Sequence, residues 1–284
     1  MLVQDYTFLY SDTGTVLNTD ASGTTPFVDV QKIQGLSNAE YRITEREREG
    51  MDGGFVDALY EKMRLIVLDG VIYNATETFL DTLKANFAPS AVVKPFYFKT
   101  PVVGERIVYA KSYGINFIYD NKRGLGIVSF QIQLKAEDPT IYGQLSTGSV
   151  AIGGASTGFG FNLGFNMGFG GATSINGVVS ILNQGNKDSD ATFIINGPVT
   201  NPAISNDTVG ARITFTLVLN ATDYLTVNLR NKTVILNGTA NRRGTMLAIS
   251  KWFLIKPGAN SIRFLGTPGV TAPNMSYIVR PAYR

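Results

Sequence analysis

Val128-Ser129-Phe130-Gln131-Ile132-Gln133-Leu134-Lys135 alternates apolar and polar side chains without a break. A period of two places Val128, Phe130, Ile132 and Leu134 on one face and Ser129, Gln131 and Gln133 on the other, as in a strand with one face in a core. This stretch marks the chain as mainly β, and its neighbours conform. Upstream, Val92–Lys99 and Glu105–Ala110 also read as strands. In Lys62–Tyr73 the centre, Leu65-Ile66-Val67-Leu68, is apolar on both faces, so this strand is expected to be covered on both sides. Gly70 within it marks a bulge or a close backbone approach. One helix is predicted, over about residues 76–87. Asn74 with Glu77 three residues later resembles a capping box, Phe79, Leu80, Leu83 and Phe87 share a helical face, and Pro89 ends the run.

Further upstream, Ile43 to Gly50 reads I-T-E-R-E-R-E-G. Alternating charge of this kind suits a solvated edge strand or loop that resists misassembly, or an electrostatic contact strip; Arg46 and Arg48 are candidate subunit or partner contacts. Met51-Asp52-Gly53-Gly54 is a turn signal.

Downstream, the composition changes. No charged residue lies between Asp138 and Lys187, and Gly158 to Gly171 reads G-F-G-F-N-L-G-F-N-M-G-F-G-G. Without a Lys or a following helix pattern it is not a phosphate loop, and Asn162, Asn166 and the glycines make it a poor membrane segment. Residues 144–172 are therefore expected to be a linker or crossover strand between domains at 1–143 and 173–284, with Phe161 and Phe165 buried at a domain or subunit interface. Beyond it, Gly177–Leu182, Ala191–Asn196, Ala211–Leu219, Tyr224–Leu229, Thr233–Leu236, Met246–Phe253, Ser261–Leu265 and Ser276–Val279 read as short strands. That spacing predicts an antiparallel β-sandwich. Asn201-Pro202 reads as a strand-edge turn and Asn237-Gly238 as a type I′ hairpin turn.

The 284 residues carry a formal charge of +3, and only 17% are charged, which gives no case for nucleic acid or an anionic membrane as the main partner. The chain contains neither Cys nor His. That excludes disulfides, zinc ribbons, iron–sulfur clusters, Cys nucleophiles and every His-based catalytic triad. No signal peptide or membrane span is read in the sequence. Six Asn-x-Ser/Thr triplets, beginning at Asn74, Asn206, Asn220, Asn231, Asn237 and Asn274, read as the product of an Asn- and Thr-rich β-composition.

The C-terminal third holds an ordered set of motifs. Gly197-Pro198-Val199-Thr200-Asn201-Pro202-Ala203-Ile204-Ser205-Asn206 comes first, then Asp223-Tyr224-Leu225-Thr226-Val227, Val234-Ile235-Leu236-Asn237-Gly238 and Asn241-Arg242-Arg243. Ser250-Lys251-Trp252-Phe253-Leu254-Ile255-Lys256-Pro257-Gly258-Ala259-Asn260-Ser261-Ile262 closes the set. It resembles the C-terminal domain of phage distal tail proteins of the siphovirus type. Upstream, Arg48-Glu49-Gly50-Met51-Asp52-Gly53-Gly54 and Arg64-Leu65-Ile66-Val67-Leu68-Asp69-Gly70-Val71-Ile72, followed by the helix, look like the tube-joining domain of the same family.

The resemblance implies a tube-protein-like split β-barrel with one helix, followed by a galectin-like β-sandwich that points outward. It implies a hexameric ring of copies of the chain at the distal end of a tail tube, contacts with the tail-tip protein and with a receptor-binding protein or fibre, and passage of phage DNA through the lumen. Location in the virion after synthesis in the host cytoplasm, no membrane insertion, no cofactor or metal and no enzymatic activity follow as expectations. Asp52, Gly53, Gly70, Asn201, Pro202, Asp223, Asn237, Gly238, Trp252, Phe253, Pro257, Gly258 and Asn260 carry the family pattern and are expected to be structural. Arg242 and Arg243 are candidates to clamp a carboxylate of a neighbouring subunit.

Two other classes compete. A carbohydrate-binding module for host surface glycans would stack sugar rings on Trp252, Tyr224 or Tyr277. Because Trp252 and Phe253 are adjacent in an expected strand, one of them belongs in the core. A glycosidase would need a carboxylate pair drawn from Asp188, Asp190, Asp207 and Asp223, all expected in loops or at strand starts.

Overall fold

The computed structural model describes residues 6–11, 14–18, 26–37, 40–101, 104–119, 125–152, 176–269 and 271–284. Phe161, Phe165 and the rest of Gly158–Gly171 lie outside the described residues. The chain divides into two compact units, Met1–Gln144 with Tyr283–Arg284, and Leu145–Ala282.

In the first unit the strands are β1 (Phe8–Tyr10), β2 (Val16–Leu17), β3 (Phe27–Gln34), β4 (Tyr41–Glu47), β5 (Gly54–Glu61) and β6 (Arg64–Tyr73). After helix α1 (Glu77–Asn86) come β7 (Lys94–Thr100), β8 (Gly104–Ile118), β9 (Val128–Ala136) and β10 (Ile141–Tyr142). The main sheet runs β2-β1-β7-β8-β9-β6-β3, and β4 and β5 form a separate hairpin. The pairings along this path are antiparallel. The ends of the sheet meet: the Asn18 backbone N–H donates to the Val28 carbonyl at 3.0 Å, and the Asn18 Oδ1 accepts from the Val30 N–H. The sheet therefore curls into a split barrel.

β9 lies between β6 and β8, and Val128, Phe130, Ile132 and Leu134 all face the core, as their alternation requires. In β6 only one side is covered. Ile66, Leu68 and Ile72 are buried, whereas Leu65 is 51% exposed and Val67 and Val71 are half-buried. Helix α1 packs elsewhere, which explains why the second side stays open. Its Phe87 stacks on Tyr10 of β1 at 5.5 Å, and its carbonyl accepts from Ser112 Oγ of β8 at 2.7 Å. The helix cap also differs from expectation. Thr76, not Asn74, is the N-cap, its side chain accepting from the Phe79 N–H at 3.3 Å, while Asn74 sits at φ 52° in the preceding turn. Gly70 is a close approach: a Cβ there would lie 2.2 Å from the Asp29 carbonyl and 2.8 Å from the Phe130 ring.

In the second unit the strands are β11 (Ser146–Ala151), β12 (Asn176–Asn183), β13 (Ala191–Asn196), β14 (Val199–Asn206), β15 (Ala211–Thr214), β16 (Val218–Leu219), β17 (Tyr224–Asn228), β18 (Thr233–Leu236), β19 (Ala240–Asn241), β20 (Gly258–Pro268) and β21 (Asn274–Val279). One sheet runs β11-β21-β13-β17-β18-β19 and the other β12-β20-β14-β15, with β16 also on β14. Both are antiparallel, and between them lies a core that includes Phe193, Ile204, Phe215, Leu225, Phe264 and Met275.

Three sequence expectations change here. β11 falls inside the span read as a linker or crossover strand, and it is a strand of the second unit itself, paired with β21. Asn201-Pro202 is not a turn at a strand edge; it lies inside β14, at a bulge between Thr200 and Ala203, with Asn201 at φ 50°. Met246–Phe253 is not a strand. A 3₁₀ turn over Arg243–Thr245 leads into it, and its backbone reaches β15 only intermittently, through Leu247 N to the Thr214 carbonyl at 2.9 Å and Lys251 N to the Arg212 carbonyl at 2.8 Å.

Candidate assembly surface and ligand cleft

The β4–β5 hairpin is an exposed arm on the first unit. Register puts Arg42 opposite Tyr60, Ile43 opposite Leu59, Glu45 opposite Val56 and Arg46 opposite Phe55, with a bulge between Thr44 and Glu45. Facing residues share a side of a ribbon, so the charge alternation of Ile43–Gly50 separates into two faces. One is cationic and aromatic: Arg42 lies over Tyr60 at 5.4 Å, and Arg46 and Arg48 over Phe55 at 5.6 and 4.4 Å. The other carries Ile43, Val56 and Leu59 with Glu45 and Glu47, and Ile43 and Leu59 are 51% and 56% exposed. Asp52 and Gly53 lie in the turn at the tip, where Gly53 accepts from the Arg48 N–H at 3.2 Å. The foot is fixed by Arg64, buried in β6. Its Nε donates to the Pro139 carbonyl at 2.8 Å, and its Nη1 donates to the carbonyls of Gly35, at 2.7 Å, and Ser37. Burial pulls the Arg64 guanidinium below its ordinary pKa.

The motif residues of the second unit hold its loops. Asp223 accepts from the Asn220 N–H and Nδ2, both at 2.9 Å, and from Asn237 Nδ2 at 2.8 Å; Asn237 Oδ1 in turn accepts from the Tyr224 N–H at 2.9 Å. The hydrogen bonds from Asn237 and Asn220 hold the Asp223 carboxyl below its ordinary pKa. Asn237 and Gly238 sit at φ 50° and 74°, the two positive values of a type I′ turn. Asn260 is fully buried beneath the Pro257-Gly258 loop. Its Oδ1 accepts from the Lys256 N–H at 3.0 Å, and its Nδ2 donates to the carbonyls of Lys256 and Gly258 at 2.7 and 3.1 Å. Asn183, which no sequence pattern singled out, is a second such staple, donating to the carbonyls of Lys187 and Ile255 at 2.8 and 3.1 Å.

Trp252 and Phe253 divide as adjacent residues should. Phe253 is buried with its ring 6.2 Å from that of Phe193, and Trp252 is half-buried. Trp252 borders a cleft of about 510 Å³ lined also by Asp188, Asp190, Arg230, Lys232 and Lys256. Reciprocal backbone bonds between Ser189 and Ile255, at 2.8 and 2.9 Å, join its two walls, and Lys256 Nζ meets Asp188 Oδ2 at 2.6 Å. Arg243 lies over the Trp252 ring at 6.0 Å, and the Arg242 backbone N–H donates to the Val234 carbonyl at 2.8 Å. Tyr277 is buried under Gly148, where a Cβ would lie 2.5 Å from its hydroxyl, so it offers no sugar platform; Tyr224 is partly exposed.

Of the four carboxylates weighed for catalysis, only Asp188 and Asp190 share this cleft. Asp207 is engaged with Arg263, at 2.9 Å from its Nε and 2.6 Å from its Nη2. Burial raises the Asp207 carboxyl, but the hydrogen bonds from Ser205 and Arg263 outweigh it and leave the pKa lowered. Asp223 is committed to its turn.

Residues 184–280 match the family model of the siphovirus-type tail component, C-terminal domain. No curated protein matches the chain. Among solved structures, the chain is similar to the SPP1 Dit (gp 19.1) protein, described as a paradigm of the hub adsorption apparatus in phages infecting Gram-positive hosts. The TM-score is 0.66 at 16% identity, over 96% of this chain and 97% of that one. The phage P2 baseplate in its activated conformation is also similar. Its calcium form has a TM-score of 0.48 at 11% identity and its strontium form 0.46 at 12%, each over 95% of this chain and 97% of that one.

Proposed function

We propose that this chain is the hub protein of a phage tail tip. Copies of it form a ring, hexameric by the family pattern, through the first unit. The ring joins the tail tube protein to the tail-tip protein and lets DNA pass, and the second unit docks a receptor-binding protein or fibre. The protein resides at the distal end of the tail in the virion, after synthesis in the host cytoplasm. It acts as a scaffold and not as an enzyme.

The observation that carries the ring is the arm. It exposes Ile43, Val56 and Leu59 on one face and an Arg–aromatic array on the other. A closed ring uses head-to-tail contacts, in which two different surfaces meet, and faces of opposite sign suit that geometry. The open side of β6, with Leu65 exposed, supplies further apolar surface for a neighbour. The test is mass photometry and negative-stain imaging over a concentration series, alone and with the tail tube and tail-tip proteins. A six-fold ring with a central hole supports the hub, and a chain that stays monomeric with all partners present overturns it.

A further inference from the structure

We infer that the Trp252 cleft is a saccharide-binding site, a role separate from ring assembly. Trp252 and the Asp188–Asp190 segment are far apart in sequence and meet only in the fold. The cleft volume, about 510 Å³, lies within the ~300–1,000 Å³ range of small-ligand sites. Its lining decides the ligand class. Asp188, Asp190, Arg230, Lys232 and Lys256 ring a floor made by Leu229 and buried Phe253. A lipid tail or an apolar helix would strip water from these charges and return no hydrogen bond. A sugar ring answers both halves of the lining: its C–H face packs on an indole, and its hydroxyls donate to carboxylates and accept from Lys and Arg.

The site is also held in shape before any ligand arrives. The two Ser189–Ile255 bonds fix the walls, the Asp188–Lys256 contact sets both heads, and Arg243 sits against the indole. A rigid site loses little on binding. Three cations against two carboxylates favour a neutral or acidic saccharide over an amino-cationic one.

Trp252 is the only Trp in the chain, so the intrinsic emission of the full-length protein reports this cleft whatever its oligomeric state. The emission is titrated to millimolar concentration with a neutral N-acetylhexosamine oligomer, a uronate-containing oligosaccharide and poly(glycerol phosphate). The expected result is a saturable shift with at least one of the two oligosaccharides. Its Kd weakens at least tenfold in Asp188→Asn and in Lys232→Met, while the thermal midpoint of each variant stays near that of the parent. No saturable shift with either oligosaccharide overturns the inference. So does a shift of equal affinity in both variants, or one produced by the phosphate polymer alone. Ring formation plays no part in this readout, so a failed hub reading and a failed saccharide site give different results.

Discussion

Asn260 shows how much a single buried amide does in this molecule. It satisfies one N–H and two carbonyls of the loop that carries Pro257 and Gly258. Asn260→Ala removes those partners and leaves the groups buried, at a cost of ~3 kcal/mol, to be read as a lowered denaturant midpoint at unchanged slope. Gly70→Ala forces a Cβ against the Asp29 carbonyl and is expected to cost at least ~3 kcal/mol, beyond ordinary overpacking because the obstacle is backbone.

Asp223 adds a pH term. Its carboxyl is held below its ordinary value of 3.8 by Asn237 and Asn220. The stability it contributes is therefore present above that value and is lost as pH falls through the lower, folded one. Asp223→Asn should melt below the parent at pH 7, and the two melting curves should converge as pH drops well below 3.8. The Asn237-Gly238 turn was readable in the sequence because turn chemistry is local, whereas its tie to Asp223, 14 residues away, was not. Asn183 was not, since nothing near it in sequence shows that the carbonyls of Lys187 and Ile255 will need a donor.

At the scale of elements, local period was legible where a strand is regular and illegible where it bends. β9 alternates throughout and could be read to its ends. β8 runs for 15 residues, yet only its first half was readable, because the bulge between Ser112 and Gly114 resets the alternation. The acid–base pattern of β4 signalled an edge. Its two faces become visible only when β5 is placed opposite, since the aromatic partners of the arginines come from there. The helix was found, but its N-cap was misplaced by two residues because both Asn74 and Thr76 are N-cap types. Thr76→Ala should cost ~1 kcal/mol, measurable as a lower chemical midpoint for the first unit. Reversing the arm with Arg46→Glu and Arg48→Glu should leave the circular dichroism spectrum and midpoint nearly unchanged, since these side chains are exposed, while ring yield falls in mass photometry. Added salt should weaken the parent ring in the same direction, as the screening length shortens from ~10 Å at 0.1 M to ~3 Å at 1 M.

For the whole molecule, two separate cores imply two cooperative transitions in calorimetry. Phe253→Ala, which empties a buried ring site of the second core, should lower only one of them, by ~3–5 kcal/mol. The candidate cleft was only half legible at this scale. Trp252 and the carboxylates each stood out by residue type, but their meeting depends on the Ser189–Ile255 bridge, which no local pattern encodes. Tyr283 and Arg284 belong to the first unit, where Arg106 stacks on Tyr283 at 3.7 Å and Arg284 reaches Glu61 at 3.6 Å. The sandwich is thus an internal cassette, entered from and returned to one host body. Everything between Gln144 and Tyr283 can then be exchanged for another sandwich while both flanking segments, and the body they build, keep their fold.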